Sequence, residues 1–216
     1  MRDRYAAARG DMIERQLRRR GINDPRVLEA FAAVPRHLFV PAEFRSAAYD
    51  DSPLPIGFGQ TISQPYIVAL MTSALALSDH ERVLDVGTGS GYQTVILARL
   101  AASITTIEIL PELLMRARRV AARLGCMNID FHIGDGSVGW PPSAPYDCII
   151  VSAVAPAPPK PLLAQLGDGG RMVVPVAGSH GYQVLTLITR QGKALSDETL
   201  TGVQFVPLRG KHGLAP

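Results

Sequence analysis

Cysteine is scarce in this chain, which has only Cys126 and Cys148 among its 216 residues. The two are far apart in the sequence and form no C-x-x-C pattern, so neither a disulfide framework nor a zinc knuckle is expected. The histidines are scattered without the spacing of metal ligands, at positions 37, 80, 132, 180 and 212. These absences predict a protein of a reducing compartment whose site needs no metal ion.

Long apolar runs are also missing. No segment approaches the roughly 20 consecutive apolar residues that a membrane-spanning helix needs. Residues 1–5 lead directly into polar, arginine-rich sequence, where a signal peptide would carry an apolar stretch. We therefore expect a soluble, cytoplasmic protein that has no membrane partner.

Charge of one sign is only slightly in excess. The chain has 22 Lys and Arg against 19 Asp and Glu, a formal net charge of +3, which is too small to require a nucleic-acid partner. Arginines cluster at 15–20 and 116–123; solvated helix faces explain both clusters, and RNA binding is the alternative. Aromatic residues make up 6% of the chain and apolar residues 47%, so a globular core must be built mainly from Ala, Leu, Val and Ile.

The first part of the chain predicts helices followed by an irregular segment. An apolar stripe at helical spacing ends at Gly21, and Asp24-Pro25 then provides a cap and the first turn of a second helix. Prolines and glycines recur over 35–60, which predicts an irregular segment. Because loops of this length are uncommon inside a compact domain, we interpret the segment as functional.

Strands and helices alternate in the rest of the chain. Short apolar runs predict strands at 82–86, 104–109, 128–133, 147–152 and 172–176. Residues 111–124 predict a helix with one apolar face that ends at Gly125. This alternation is typical of a parallel sheet covered by helices on both faces. Two more predicted strands, 182–189 and 203–207, have no helix between them, so we expect an antiparallel edge.

A glycine-rich turn between a strand and a helix is the most informative motif. Its glycines allow a sharp turn and the close approach of a ligand that a Cβ would exclude, at the end of a strand where nucleotide cofactors bind. The third glycine of a dinucleotide fingerprint would fall at position 92, which is Tyr. The G-x-G-x-G spacing instead resembles the first motif of class I S-adenosylmethionine (SAM)-dependent methyltransferases. The residues assigned to the cofactor from this turn are Asp85, Gly87, Thr88, Gly89 and Gly91.

Acidic residues follow at the ends of the next two predicted strands. Glu108 stands at the offset where nucleotide-binding folds place a carboxylate for the ribose hydroxyls. Asp135 and Gly136 come just after the following predicted strand, where this superfamily contacts adenine. The alternatives are that Glu108 caps the helix that starts at Pro111 and that Asp135-Gly136 is a plain turn. Because all three loops meet at one edge of the predicted sheet, we favour the cofactor interpretation.

Several stretches are similar to one family, the protein-L-isoaspartate O-methyltransferases. Residues 54–65, LPIGFGQTISQP, resemble its signature ahead of the cofactor loop and are more specific than that loop. Further blocks resemble the family at 85–93, 134–140, 168–176 and 205–208, with small departures at Phe58 and 152–156. The resemblance covers nearly the whole chain.

This resemblance implies an architecture. We expect a single methyltransferase domain over 1–216, with a helical extension and substrate-side loop at 1–62 and a SAM-binding α/β core at 63–216. The core would be a Rossmann-like, mostly parallel seven-stranded sheet with helices on both faces. A monomer is expected.

The resemblance also implies a reaction. The family transfers a methyl group from SAM to the free α-carboxylate of L-isoaspartyl residues in age-damaged proteins and peptides, which leaves S-adenosyl-L-homocysteine. The ester then closes to a succinimide, which begins repair. A carboxylate is already ionised at neutral pH, so no general base is required and positioning should dominate catalysis. Consistent with this, no serine-hydrolase or metalloprotease motif occurs in the sequence.

Ser63 is the active-site residue that the family resemblance implies. It precedes Gln64-Pro65 and an apolar helix, so we also expect it to act as the N-cap. A helix N-terminus favours a carboxylate, and the hydroxyl can donate to the substrate oxygen. Gln60, Thr61 and Ile62 are expected to form the same wall of the substrate site.

Two other functions stay open at this point. The chain is either a SAM-dependent methyltransferase that acts on RNA or a small molecule, or a non-catalytic adaptor that binds isoaspartyl segments. Base methylases usually carry an aromatic clamp of the N/D-P-P-Y/F type, which this sequence lacks. Intact glycines, Glu108 and Ser63 argue against the adaptor.

Overall fold

A computed structural model describes residues 4–214, apart from the side chain of His180. Two short ends lie outside the described residues: 1–3 and 215–216. Both belong to the domain predicted over 1–216, and residues 1–3 also belong to the start where no signal peptide is expected. No helix of the described chain is both long enough and apolar enough to cross a membrane.

Helices open the described chain. Helix α1, Ala6–Asp11, continues through a π-helical stretch, Met12–Leu17, into a 3-10 turn, Arg18–Arg20. Gly21 ends it with a φ of 92°, a left-handed conformation that glycine adopts without strain. Helix α2, Pro25–Ala33, begins where the Asp24 side chain accepts from the backbone N–H of Arg26 at 2.8 Å. Both predicted helix boundaries are thereby confirmed.

The segment that we predicted to be irregular contains regular structure. Two 3-10 turns are followed by an antiparallel hairpin of strands β1, Leu54–Gly57, and β2, Gln60–Ile62. The prediction of an irregular stretch is therefore wrong for 54–60. We interpreted Pro55 and the glycines as strand breakers, but the glycines belong to the hairpin turn, where Phe58 also has a positive φ of 55°.

A seven-stranded sheet lies at the centre, in the order β5-β4-β3-β6-β7-β8-β9. Its strands are β3 Arg82–Val86, β4 Ser103–Glu108, β5 Ile129–Ile133, β6 Tyr146–Val151, β7 Leu166–Ala177, β8 Gln183–Gln191 and β9 Ala194–Val203. Strands β3 to β7 are parallel, whereas β8 and β9 are antiparallel to their neighbours. The mostly parallel seven-stranded sheet and its antiparallel edge are confirmed.

The position of the last strand was predicted wrongly. Strand β9 covers Ala194–Val203, not 203–207. It is an exposed edge strand rich in polar residues, so it lacks the apolar alternation that marks a half-buried strand. The apolar stretch that we took for the strand instead packs beside Val154, whose N–H donates to the Val206 carbonyl at 2.9 Å.

The sheet separates two apolar clusters. Val83 packs into the larger cluster together with the N-terminal helices and α3 Pro65–Ala74, α4 Tyr92–Ala98 and α5 Pro111–Arg123. Leu84, the next residue of the strand, points to the smaller cluster, which includes α6 Lys160–Gln165. Helices therefore lie on both faces, as predicted. Because Phe31 of α2 shares a cluster with Val83, the N-terminal helices are packed onto the core.

Candidate active site

An open cleft with an empty volume of about 830 Å³ lies at the carboxyl ends of β3 and β4. From β3 the chain adds strands first on one side (β4, β5) and then on the other (β6, β7), so β3 lies at the point where the strand order reverses. Ligands of α/β sheets bind at such a point. The cleft is lined mainly by residues 60–63, 86–90, 107–110, 152–153 and 206–209, with Val68, Tyr92, Gln93 and Gly136. Of the predicted site residues, this places Gln60, Thr61, Ile62, Ser63, Gly87, Thr88, Gly89, Glu108 and Gly136 in one cleft.

The glycine-rich turn joins β3 to α4 and forms the floor of the cleft. Gly87, Gly89 and Gly91 have φ values of 91°, 52° and 84°, which favour glycine at all three positions. Gly91 faces away from the cleft, where a Cβ would lie 2.7 Å from the Cβ of Ala117. Because Gly91 has no side chain, α5 can pack against the start of α4. A contact between Gly91 and a ligand stays a prediction.

Asp85 lies beneath the turn and does not line the cleft. It is fully buried, and its Oδ2 accepts from the Thr94 hydroxyl at 2.6 Å and from the Thr106 hydroxyl at 3.0 Å. The Thr106 hydroxyl is also 2.6 Å from the hydroxyl of Thr88, which does line the cleft. Asp85 therefore joins β3, α4 and β4 below the glycines. Whether it touches the cofactor stays a prediction.

The burial of Asp85 predicts a pH dependence of stability. Burial raises the pKa of Asp85 to about 6, despite the hydrogen bonds from Thr94 and Thr106 that favour its ionised form. The pKa of Asp in an unfolded chain is about 3.9, so the folded state binds this proton more tightly than the unfolded state does. The folded state therefore loses stability as the pH rises from about 3.9 to about 6. We expect the stability of Asp85→Asn relative to wild type to increase by about 2 kcal/mol between pH 4.5 and 7.5. Urea unfolding at both pH values measures this, and an equal difference at both would contradict it.

Glu108 ends β4 and lines the cleft with only 7% of its surface exposed. Its Oε2 accepts from the Gly89 N–H at 2.8 Å, and its Oε1 accepts from the Leu110 N–H at 3.0 Å. Each carboxylate oxygen has two lone pairs, so Glu108 can still accept from ligand hydroxyls. Leu110 is the N-cap of helix α5, and its own side chain makes no cap bond. Because Glu108 accepts from the Leu110 N–H, the alternative that Glu108 supports the start of this helix is compatible with the structure, and its contact with the cofactor stays a prediction.

Asp135 and Gly136 form a third loop at the same edge. Gly136 lines the cleft, and a Cβ there would lie 2.7 Å from Cγ1 of Val86. Asp135 is turned away from the cleft: its Oδ1 accepts from the Ser137 N–H at 2.8 Å, and its Oδ2 accepts from the Lys211 N–H at 2.8 Å. Asp135 thus fastens the C-terminal segment to this loop, and its contact with adenine stays a prediction.

Ser63 lies between two cavities. It lines the cleft described above and a second one of about 1040 Å³, whose other walls include Pro53, Ile67, Tyr182 and 202–206. The N-cap of α3 is Gln64 and has no side-chain cap bond, so the expectation that Ser63 is the N-cap is wrong. Pro65 occupies the first helical position, so the N-cap is the residue directly before it, which is Gln64 and not Ser63. Within the described chain no hydrogen bond engages the Ser63 hydroxyl.

The residues before Ser63 form the wall that was predicted from the sequence. Strand β2 places Gln60, Thr61 and Ile62 along the first cleft. Thr61 lines the second cleft as well. Ile62 is buried and belongs to the larger apolar cluster, so it anchors this wall to the core.

The structure adds residues that the sequence interpretation did not assign. Ser152 follows β6 and lines both clefts, and the rule that strand ends meet at one edge could have identified it. Residues 206–209 form another wall. They come shortly after β9 but belong to no regular strand, and no local signal places them at the cleft. Among the described residues, no group of three or more His, Cys, Asp and Glu side chains could hold a metal ion.

The sequence matches known proteins over nearly its whole length. The family model described as protein-L-isoaspartate(D-aspartate) O-methyltransferase matches residues 8–213. The chain is 52% identical to a protein-L-isoaspartate O-methyltransferase of Methanoculleus marisnigri over 205 residues, which cover 95% of this chain and 93% of the relative.

Two solved structures resemble the whole fold. A protein-L-isoaspartate O-methyltransferase superposes with a TM-score of 0.85 at 28% identity, over 94% of this chain and 66% of that one. A Plasmodium falciparum protein of the same family name, solved with S-adenosyl-L-homocysteine, superposes with a TM-score of 0.81 at 25% identity, over 96% and 99% of the two chains. This chain belongs to the protein-L-isoaspartate(D-aspartate) O-methyltransferase family.

Proposed function

We propose that this chain transfers a methyl group from SAM to the free α-carboxylate of L-isoaspartyl residues in damaged proteins and peptides, and so initiates their repair through a succinimide. The observation that carries the proposal is the position of Ser63, with its hydroxyl unengaged by the described chain, where two clefts meet. The names of the relatives point to the same activity.

The residues of the first cleft fit SAM. Gly87 and Gly89 leave the backbone of the turn open to close contact, and Gly136 lines the cleft while it packs on Val86. Glu108 would offer carboxylate oxygens to the ribose hydroxyls. A solved relative binds S-adenosyl-L-homocysteine, the product that SAM leaves after transfer. When bound, SAM supplies a methyl group on a positively charged sulfur, which a carboxylate oxygen can attack directly.

The second cleft fits an extended peptide that reaches Ser63. It is lined by Pro53, Ile67, Tyr182 and 202–206, a mixture of apolar and polar groups. The Ser63 hydroxyl would donate to one oxygen of the substrate carboxylate and leave the other oxygen aimed toward the first cleft. The chain needs no general base for this, because the nucleophile is ionised at neutral pH.

Apolar side chains around this junction would keep water from the carboxylate. Ile62, Val68, Ile107 and Leu208 line the first cleft. Replacing the water shell of a charged nucleophile with fixed protein groups raises its reactivity. Catalysis by this chain is therefore mainly positioning and exclusion of water, which together can supply on the order of 7–11 kcal/mol.

The cellular setting is part of the same proposal. We infer a cytoplasmic monomer that acts on isoaspartyl proteins and does not bind nucleic acid. Cys126 and Cys148 are both free, in keeping with a reducing compartment. Light scattering of the purified chain checks the monomer.

Matched peptides that differ only at one residue test the proposed reaction. With labelled SAM, we expect a base-labile methyl ester on the isoaspartyl peptide and about a hundredfold less on the aspartyl peptide. The reason is that the extra methylene shifts the carboxylate by more than 1 Å, which can cost about that factor. Total RNA serves as the third acceptor. Equal labelling of both peptides, or labelling of RNA, would overturn the proposal, and peptide binding without transfer would favour an adaptor.

A further inference from the structure

Arg36 is the largest fully buried side chain of the described residues, with 0% of its surface exposed. None of the ion pairs between described residues includes it. Its guanidinium donates instead to backbone carbonyls: Nε to Ala48 at 2.8 Å and Nη2 to Ser63 at 2.7 Å. A buried cation without a carboxylate is unusual, because desolvation disfavours the charge.

The surroundings of Arg36 belong to both sides of the site. Its Cζ lies 4.9 Å from the centre of the Tyr92 ring, and Tyr92 follows the last glycine of the cofactor turn and lines the first cleft. Burial lowers the pKa of Arg36 to about 10, so the guanidinium stays charged at neutral pH. The Arg36 side chain thus donates to Ser63, which lines the proposed peptide cleft, and stacks on Tyr92, which lines the proposed cofactor cleft.

We propose that Arg36 is a positioning residue for methyl transfer, which holds the Ser63 carbonyl and thereby fixes the direction of the Ser63 hydroxyl where the two clefts meet. This inference rests on the proposed function. The planar guanidinium has donors in a fixed geometry, so its bonds to Ala48 and Ser63 hold both segments at one distance. Without Arg36, the Ser63 carbonyl would be left without this donor, and the backbone between β2 and α3 would turn to find another.

A double-mutant cycle tests whether Arg36 acts through Ser63. Arg36→Met removes the donors and keeps an unbranched apolar chain. We expect it to lower kcat for an isoaspartyl peptide at least about tenfold, since small displacements near the reacting atoms have such effects, and to leave the affinity for S-adenosyl-L-homocysteine within about threefold. In the Ser63→Ala background, the same change should lower kcat less than about twofold.

Arg26→Met is the matched control. Arg26 also donates to two backbone carbonyls, those of Leu77 and Leu100, but neither carbonyl belongs to a residue that lines the two clefts. We expect this variant to melt at a lower temperature with unchanged kcat per folded molecule. Should Arg36→Met fail to fold, Arg36→Lys replaces it in the cycle, because a lysine keeps the charge and can reach only one of the two carbonyls.

Three results would overturn the inference. The first is an equal loss of kcat from the Arg36 change in both backgrounds, and the second is a rise in KM with unchanged kcat. The third is an Arg36 variant that only melts earlier, as Arg26→Met does. These outcomes presuppose a wild-type protein that methylates the isoaspartyl peptide, so a wild type without that activity would instead identify a failure of the proposed function.

Discussion

Replacing Ser63 with Ala is expected to lower kcat/KM for an isoaspartyl peptide by about ten- to a hundredfold, the range for one hydrogen bond to a charged group. Because Ser63 lines both clefts and its hydroxyl engages no described residue, its donor is free for the substrate. It does not cap α3, so stability should hardly change. Single-turnover methyl transfer and thermal unfolding of the same preparation measure the two effects.

Ser73→Ala provides the control for this substitution. Ser73 lies on α3, and its buried hydroxyl oxygen has no hydrogen-bond partner among the described residues. Removing that hydroxyl should leave both turnover and stability near the wild-type values. A Ser63→Ala protein that transfers methyl at the wild-type rate would show that the serine forms part of the wall only.

Replacing Glu108 with Ala is expected to weaken binding of S-adenosyl-L-homocysteine by about ten- to a hundredfold. The variant has no carboxylate to accept hydrogen bonds from the ligand hydroxyls. It also lacks the acceptor for the N–H groups of Gly89 and Leu110. A ligand at free concentration L stabilises the folded state by RT ln(1 + L/Kd), so at a concentration well above both Kd values each tenfold loss of affinity removes about 1.4 kcal/mol. The ligand-induced stabilisation should therefore fall by about 1.4–2.7 kcal/mol, which calorimetry and thermal unfolding both measure.

Glu112→Ala is the matched control for charge. Glu112 lies in the first turn of α5 and is exposed, so its loss changes the net charge equally without touching the cleft. We expect unchanged ligand affinity for this variant. A folded Glu108→Ala protein with wild-type affinity would remove Glu108 from the cofactor site.

Local patterns predicted the parts of the site that depend on strand ends. The glycine turn after β3 and Glu108 at the end of β4 follow from short-range rules, since a positive φ requires glycine and parallel strands end at one edge. The same rules found Gly136. The side chain of Asp135 does not line the cleft, because it accepts from the N–H of Ser137 in its own loop and from the N–H of Lys211 in the C-terminal segment, and its contact with adenine stays a prediction.

Contacts between distant segments could not be read from the sequence. Arg36 is a charged residue, and a charged side chain is almost never fully buried unless it is paired, yet Arg36 is buried against Ser63 and Ala48. The hairpin at 54–62 was missed because its turn brings together glycines and Phe58 with positive φ, which resemble breaks in a strand. Strand β9 was misplaced because an exposed edge has no apolar alternation.

The wall at 206–209 has a consequence for the order in which the site is completed during synthesis. Strands β3 to β7 end at residue 177, whereas the cleft also needs Val206, Leu208 and Arg209. A chain still emerging from the ribosome can therefore pair its parallel strands while the cofactor cleft is open on one side. Since a ligand stabilises only the state that binds it, the part of the SAM affinity that depends on residues 206–209 can stabilise the fold only after this C-terminal segment has docked.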